Sequence, residues 1–100
     1  MTDHWTKSTL LTRVGTRFEL ETGGPPLELE LVEVEGLAAD DANEGSFSLL
    51  FRTPDGRLLP QALYRLRHAE VGESDVFLVP IRKEGGGLYM EAVFNRMTHL

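Results

Sequence analysis

The sequence predicts an all-β fold: about six antiparallel strands in a meander that closes into a small barrel or a rolled sandwich, with one short N-terminal helix. Three observations predict it. Apolar and polar residues alternate along several short segments, as in half-buried strands. Turn signals separate these segments, and no helical crossover lies between them. A chain of 100 residues with 41% apolar and 26% charged side chains suits one globular domain over residues 1–100.

The N-terminal segment predicts the helix and the first strand. The helix is expected over residues 3–12, with Thr2 or Asp3 as its cap and Trp5 on its apolar face. The next segment, "VGTRFELET", alternates apolar and charged residues and therefore predicts a half-buried strand. The strand ends at "GGPP", because Gly permits positive φ and Pro has no N–H to donate.

The clearest strand signal is "LELELVEVEGL", which begins at Leu27. Its apolar phase slips by one residue at Leu31-Val32. A one-residue slip in a period of two predicts a β-bulge or a sharp bend, which is how strands curl into barrels. The polar segment "AADDANEG" that follows predicts a loop.

Three further strands are predicted in the second half of the chain. "SFSLLFR" leads to the turn signal "TPDGR", and "QALYRLRH" alternates again. The nearly continuous apolar run "DVFLVPI" predicts a strand that is buried on both faces, or one whose second face the helix covers. Pro80 in this run requires an edge or a bulge. The last strand, "LYMEAVF", is expected to point Met90, Ala92 and Phe94 inward.

The glycines Gly85 to Gly87 are the one feature that suggests a phosphate-binding loop. Such a loop must lead into a helix N-terminus and usually carries a Lys-Ser/Thr pair. Here a strand pattern follows the glycines, no Lys-Ser/Thr pair is present, and Glu84 and Glu91 add negative charge. We therefore interpret the glycines as the turn of a β-hairpin that supplies positive φ angles.

Composition excludes several kinds of site and partner. Cysteine is absent, which rules out disulfides, thiolate nucleophiles and cysteine-based metal sites. No apolar run reaches the roughly 20 residues of a membrane-spanning helix, and the N-terminus does not resemble a secretory signal. We therefore predict a cytoplasmic protein without a membrane partner. The net charge of −6 opposes binding to nucleic acid.

The charges are unevenly distributed along the chain. Between Arg17 and Arg52 the sequence has many Asp and Glu residues and no Lys or Arg. The favoured interpretation is that acidic and basic strands lie side by side and pair across the sheet. The alternative is a bipolar surface that docks on itself or on a partner.

No catalytic or metal-binding motif is present. The three histidines have no short spacing typical of metal ligands, and "DDANEG" departs from the calcium-loop pattern. No serine lies in a Gly-x-Ser-x-Gly elbow. The sequence therefore predicts no enzyme, no cofactor and no metal.

Four blocks carry a resemblance to a known family. They are "FSLLFR", "LPQALYRLRH", "DVFLVPI" and "YMEAVFN". In order and spacing they resemble a family of small bacterial proteins known only as a domain of unknown function, whose blocks read LPQGxYxLxH, xLFLVPI and YEAVFN. Ala62 and Met90 depart from that pattern. The resemblance implies no catalytic residues, and through an association with phage-tail-like gene products it implies a structural or adaptor role.

The first functional hypothesis is a non-enzymatic module that binds a protein partner or associates with itself. The contact is expected at an exposed strand edge or at the helix face around Trp5. A core-capping Trp5 is the open alternative. The acidic segment is expected to orient the partner, and its contact residues are Glu28, Glu30, Glu33 and Glu35.

The second hypothesis is a barrel that binds a small anionic ligand. Arginines at its mouth would hold the anion. The residues proposed to line that mouth are Tyr64, Arg65, Arg67, His68 and Tyr89. A barrel this small leaves little interior beyond what its own side chains fill.

Overall fold

A computed structural model of the chain describes residues 5–36, 46–54 and 59–95. Its elements, in chain order, are α1 (Lys7–Leu11), β1 (Arg17–Leu20), β2 (Leu27–Gly36), β3 (Ser46–Thr53), β4 (Ala62–His68), β5 (Gly72–Glu84) and β6 (Gly87–Asn95). Several predicted features lie outside the described residues: the loop at 37–45, the Asp-Gly turn, the helix cap at Thr2 or Asp3, and two histidines, His4 and His99.

The six strands form one closed antiparallel barrel in the order β1-β2-β3-β6-β5-β4. The all-β prediction is confirmed, and of its two forms the barrel is the one observed. Sequential pairing, which a meander requires, holds within β1-β2-β3 and within β4-β5-β6. The predicted meander is wrong between these halves, because β3 pairs with β6 rather than with β4, and β4 pairs with β1. Because every strand has a neighbour on both sides, the expectation of an exposed strand edge as a contact was wrong.

A register shift is present at both positions where the sequence predicted an irregularity of the strands. In β2 the register with β3 shifts between Leu31 and Glu33, at the predicted slip. In β5 the register with β6 shifts between Pro80 and Arg82. The second shift accommodates Pro80, which has no N–H for the ladder.

The helix is shorter than predicted. It begins after Thr6, whose side-chain oxygen accepts a hydrogen bond from the backbone N–H of Thr9 at 3.3 Å. A side-chain cap at this position fixes the start of the helix. The helix packs against β2 and buries Leu10.

Apolar side chains fill the interior of the barrel. Trp5 is fully buried; its indole Nε1–H donates to the carbonyl of Val71 at 3.0 Å, and its ring meets the ring of Phe18 edge-on at 5.5 Å. The other buried apolar residues are Leu10, Leu20, Leu27, Leu29, Leu31, Phe47, Leu49, Phe51, Leu66, Val76, Leu78, Leu88, Met90 and Ala92. The inward orientation predicted for Met90 and Ala92 is confirmed, and Phe94 packs against this core.

The glycine segment is the turn between β5 and β6. Gly85 and Gly86 have φ angles of +59° and +82°, which L side chains rarely adopt. Gly87 has a different role, because a Cβ built there would lie 2.6 Å from Nε of Arg52. A strand follows the turn, so the hairpin interpretation is confirmed and only Gly87 departs from it.

The expectation that both faces of "DVFLVPI" are buried was wrong. Val76 and Leu78 point into the core, but Phe77 is 50% exposed and Ile81 is 42% exposed. The helix does not cover them, because it lies against β2 on another side of the barrel. Over residues 77–81 the outer face of β5 is therefore apolar and open to solvent.

Candidate functional site

The exposed apolar residues of the strands lie on the outer surface of β4, β5 and β6. Leu63 is directly opposite Phe77 across β4 and β5. Phe77 is two residues along β5 from Val79, which is opposite Glu91 of β6. Val93, which is 60% exposed, is two residues beyond Glu91 on the same face of β6. Scattered exposed apolar residues are normal in soluble proteins, but a contiguous group marks a contact surface.

Carboxylates lie beside these apolar residues. Glu33 of β2 is opposite Leu50 of β3, and Leu50 is opposite Glu91. Glu35 is opposite Ser48 in the same two strands. We call the whole surface the open face; its residues are Glu33, Glu35, Ser48, Leu50, Leu63, Phe77, Val79, Ile81, Glu91 and Val93.

The outer surface around β1 and β4 contains a wide groove of about 420 Å³ with mostly charged walls. Arg17 of β1 contacts Glu28 of β2, with 2.9 Å between Nη1 and Oε1. Arg67 of β4 contacts two carboxylates. One is that of Glu19 in β1, and the other is that of Glu21, which directly follows β1. These guanidinium groups are therefore already paired with carboxylates of the protein itself.

The same pairing extends to β5. Arg65 lies 2.8 Å from Glu73 and 3.2 Å from Asp75. The hydrogen bond to Glu73 and the charge of Asp75 raise the pKa of Arg65, which stays protonated. We call this surface the paired face; its residues are Arg17, Glu19, Glu21, Glu28, Arg65, Arg67, Glu73 and Asp75. It shows the cross-strand pairing that the charge distribution predicted.

His68 lies at the edge of the paired face and is held by contacts on both ring nitrogens. Nδ1 accepts a hydrogen bond from the backbone N–H of Glu70 at 3.0 Å, so in the neutral ring Nε2 carries the proton and donates to Oγ1 of Thr16. Burial, and secondarily the charge of Arg13, lower the pKa of His68, and Glu70 opposes them. The arrangement suits a neutral, structural histidine.

The structure does not bring the proposed ligand-binding residues together. Arg67 and His68 line the groove of the paired face, and Arg65 points outward to its carboxylates. Tyr64 donates its hydroxyl to the carbonyl of Pro60 at 2.6 Å, and burial raises the pKa of that hydroxyl.

Tyr89 lies apart from the β4 residues, on β6. The guanidinium carbon of Arg82 is 4.4 Å from its ring centroid, and that of Arg52 is 6.0 Å away. This is a cation–π arrangement between neighbouring strands. It leaves Tyr89 occupied by the protein itself and away from any mouth formed by β4.

The residues proposed for partner binding divide into three groups. Trp5 is in the core, as the alternative interpretation predicted. A partner therefore cannot contact its side chain. Glu28 is held by Arg17, and Glu30 lies in register between Arg17 and Arg52. The remaining two, Glu33 and Glu35, are on the open face.

Sequence reasoning did not select the apolar residues of the open face. Leu63 occurs in the outward phase of β4, where Arg65 and Arg67 are its charged companions. Phe77 and Val93 likewise occupy outward phases of β5 and β6. The sequence signal that could have identified them is an apolar residue at an outward strand position, where charged residues are expected.

Two kinds of feature are absent from the described part of the chain. Residues 5–36, 46–54 and 59–95 contain no group of three His, Asp or Glu side chains that would hold a metal ion. Within the same ranges, no helix has the length and apolar character needed to cross a membrane.

A family model described as "Domain of unknown function (DUF6916)" matches residues 5–94. The match includes the helix and all six strands except Asn95, the last residue of β6. No curated protein and no solved structure matches the chain.

Proposed function

Since the chain belongs to the DUF6916 family of domains of unknown function, we propose from its own geometry that it is a non-enzymatic protein-interaction module. Its contact surface is the open face. The partner is another protein, which covers the apolar residues of β4, β5 and β6 when it binds.

The exposure of Leu63, Phe77 and Val93 on a barrel with a filled interior is the observation that supports this proposal. Their side chains are 64%, 50% and 60% exposed. Covering a large apolar side chain is worth about 1.5–3 kcal/mol when it passes from full exposure to full burial. A few such residues on one face provide the centre of an interface, and the carboxylates beside them provide a polar rim.

The non-enzymatic character is supported by the placement of the titratable groups. Among the described residues, the three groups with shifted pKa values each have a structural explanation: Tyr64 is partly buried, Arg65 is paired and His68 is hydrogen-bonded on both nitrogens. Catalytic groups are usually perturbed by a cleft that also receives a substrate. We extend the proposal to the structural or adaptor role beside phage-tail-like products, and that extension is supported by the family resemblance alone.

The alternative, a barrel for an anionic ligand, has weaker support. Buried apolar side chains occupy the interior. In the open groove of the paired face, Glu28 holds Arg17, while Glu19 and Glu21 hold Arg67. An incoming anion would have to displace these carboxylates.

Affinity capture from the native host tests the proposal, with variants that differ in one face only. We expect the wild-type protein to retain a stoichiometric protein partner and Phe77→Ser to lose it. Leu11→Ser is the matched control, because Leu11 is also 50% exposed but lies at the end of α1. Circular dichroism and thermal melts establish that all three proteins fold. Retention of the partner by Phe77→Ser, or its equal loss from Leu11→Ser, would contradict the proposal.

A further inference from the structure

A small groove lies within the open face, where β2, β3, β6 and β5 run side by side. Its volume is about 190 Å³. Its walls are formed by Glu33, Glu35, Ser48, Leu50, Ile81, Arg82 and Glu91. We call it the acidic groove. It combines three carboxylates with two apolar side chains, Leu50 and Ile81.

The carboxylates of this groove are uncompensated. Glu33, Glu35 and Glu91 form no ion pair with another described residue. The one cation in the wall, Arg82, is engaged elsewhere: Nε donates to Glu84 at 3.1 Å, and its guanidinium stacks on Tyr89. The groove therefore presents unpaired negative charge beside an apolar surface.

Ser48 adds a polar hydroxyl to the wall of the acidic groove. It faces the outer surface between Glu35 and Val93 and lines the groove, yet it is only 8% exposed. Its hydroxyl forms no hydrogen bond with another described residue. That oxygen still reaches solvent, because the one buried side-chain nitrogen or oxygen without a hydrogen-bond partner among the described residues is Nε of Arg13. The hydroxyl is therefore available to a ligand donor or acceptor.

We propose that the acidic groove binds a lysine or arginine side chain of the partner protein. The methylene stem of that side chain lies against Leu50 and Ile81, and its cationic end lies among the carboxylates. The residues next to it in the partner are apolar and cover Phe77 and Val93. This inference rests on the proposed function and adds the chemistry of the partner: a segment in which a basic residue lies among apolar ones.

Charge argues that this partner is a different protein rather than a second copy of the chain. In a symmetric dimer the same patch occurs on both subunits, so the carboxylates of one acidic groove would face those of the other. The net charge of −6 adds to that repulsion. A basic segment is attracted by the same charges.

Peptide titration tests the inference. The probe is a short capped peptide that alternates leucine and lysine; the reference probes replace its lysines with glutamate or its leucines with serine. Binding is measured by calorimetry and mapped by amide chemical shifts of the labelled protein. We expect the Leu/Lys peptide to bind at the open face and to bind at least about tenfold more tightly than either reference, because it satisfies both charge and burial.

Two charge-matched variants make the test specific. Glu33→Gln/Glu35→Gln/Glu91→Gln removes the carboxylates of the groove, while Glu28→Gln/Glu70→Gln/Glu73→Gln removes three elsewhere on the surface. We expect the groove variant to weaken peptide binding by about tenfold and the control by less than about twofold, because partly exposed pairs each contribute modestly.

Several outcomes would overturn the inference. Equal weakening in both variants would show general electrostatic attraction. No measurable binding of the Leu/Lys peptide, or shifts that map to the paired face, would show that the groove is not its site. A dimer of the wild type that dissociates in the groove variant would make a second copy the occupant. If the groove variant still captures the host partner and Phe77→Ser does not, the inference fails while the proposed function stands.

Discussion

The paired face and the open face belong to the same barrel and both carry carboxylates, but they arrange them differently. On the paired face, Arg65 and Arg67 each contact two carboxylates from neighbouring strands. On the open face, Glu33, Glu35 and Glu91 have apolar or small neighbours and no cation of their own. The carboxylates of one face are ion-paired and those of the other are not.

This difference distinguishes residues that stabilise the fold from residues that the fold does not need. Cross-strand ion pairs favour the register of the strands that hold them, and opposite charges at facing positions support the sheet. Phe77 is uncharged and half exposed, and it faces the apolar Leu63 across β4 and β5. In the proposed function a partner covers it. The comparison therefore predicts that substitutions on the paired face will change mainly the stability of the fold. Substitutions on the open face will change mainly the binding of the partner.

The largest expected effect sharpens the contrast between the core and the open face within one strand. Leu78 and Phe77 are adjacent in β5, but Leu78 is fully buried and Phe77 is half exposed. We expect Leu78→Ala to lower the free energy of unfolding by about 3 kcal/mol, because it leaves a cavity in the core. We expect Phe77→Ala to lower it by about 1 kcal/mol or less. Urea unfolding followed by Trp5 fluorescence measures both.

A comparable loss for the two substitutions would contradict this prediction. It would mean that Phe77 supports the barrel through its contact with Leu63 across β4 and β5. Its exposure would then no longer be evidence for a partner. Leu63→Ala provides the internal check, since it should cost as little as Phe77→Ala.

A smaller effect distinguishes the charges of the two faces. Arg67→Met removes the cation between Glu19 and Glu21 and leaves two like charges close together. Exposed ion pairs each contribute about 0.2–1 kcal/mol, so we expect a loss of about 1 kcal/mol that shrinks at high salt. Glu33→Gln should change the free energy of unfolding by less than about 0.5 kcal/mol, because its carboxylate has no ion-pair partner among the described residues. Urea unfolding at low and high salt measures both, and an equal loss from Glu33→Gln would erase the distinction between the faces.

The local signals in the sequence predicted much of the fold. The phase slip at Leu31-Val32 predicted a bulge or a sharp bend, Pro80 predicted an edge or a bulge, and register shifts occur at both positions. The glycines marked the last hairpin. Each of these is a property of a few adjacent residues. The order of the strands is not, because β3 pairs with β6 through contacts between residues far apart in the chain. The alternation that defines a strand is the same whichever neighbour it has.

The candidate site was predicted only in part for the same reason. Glu33 and Glu35 were selected from a run of acidic residues, but their neighbours Glu91 and Ile81 come from distant strands. Trp5 was a reasonable surface candidate in a short amphipathic helix. It is buried because the segment before α1 packs against Phe18 and Val71, which the sequence gives no means of pairing with it.

The smallest expected effect is a pH dependence that belongs to the edge of the paired face alone. Burial, then the charge of Arg13, lower the pKa of His68 in the folded protein, so the fold favours the neutral ring. Below about pH 6.5, the usual pKa of histidine, the unfolded chain takes up a proton that the folded one resists. Stability from this group is therefore complete above that pH and is lost as pH falls toward the lower pKa of the folded state.

Replacement of the ring isolates this contribution. His68→Asn keeps an acceptor near the N–H of Glu70 but does not titrate, because the asparagine oxygen occupies nearly the place of Nδ1. We expect the free energy of unfolding of the wild type to fall between about pH 7.5 and pH 5.5 relative to that of His68→Asn. The open-face amides should respond to pH in the same way in both proteins, because the ring contacts of His68 within the described residues are with Thr16, Phe18 and Glu70, which lie outside the open face. If the two proteins lose stability in parallel, the carboxylates account for the pH dependence and His68 contributes nothing. If the open-face shifts respond differently in wild type and His68→Asn, the two faces are coupled and cannot be treated as separate surfaces.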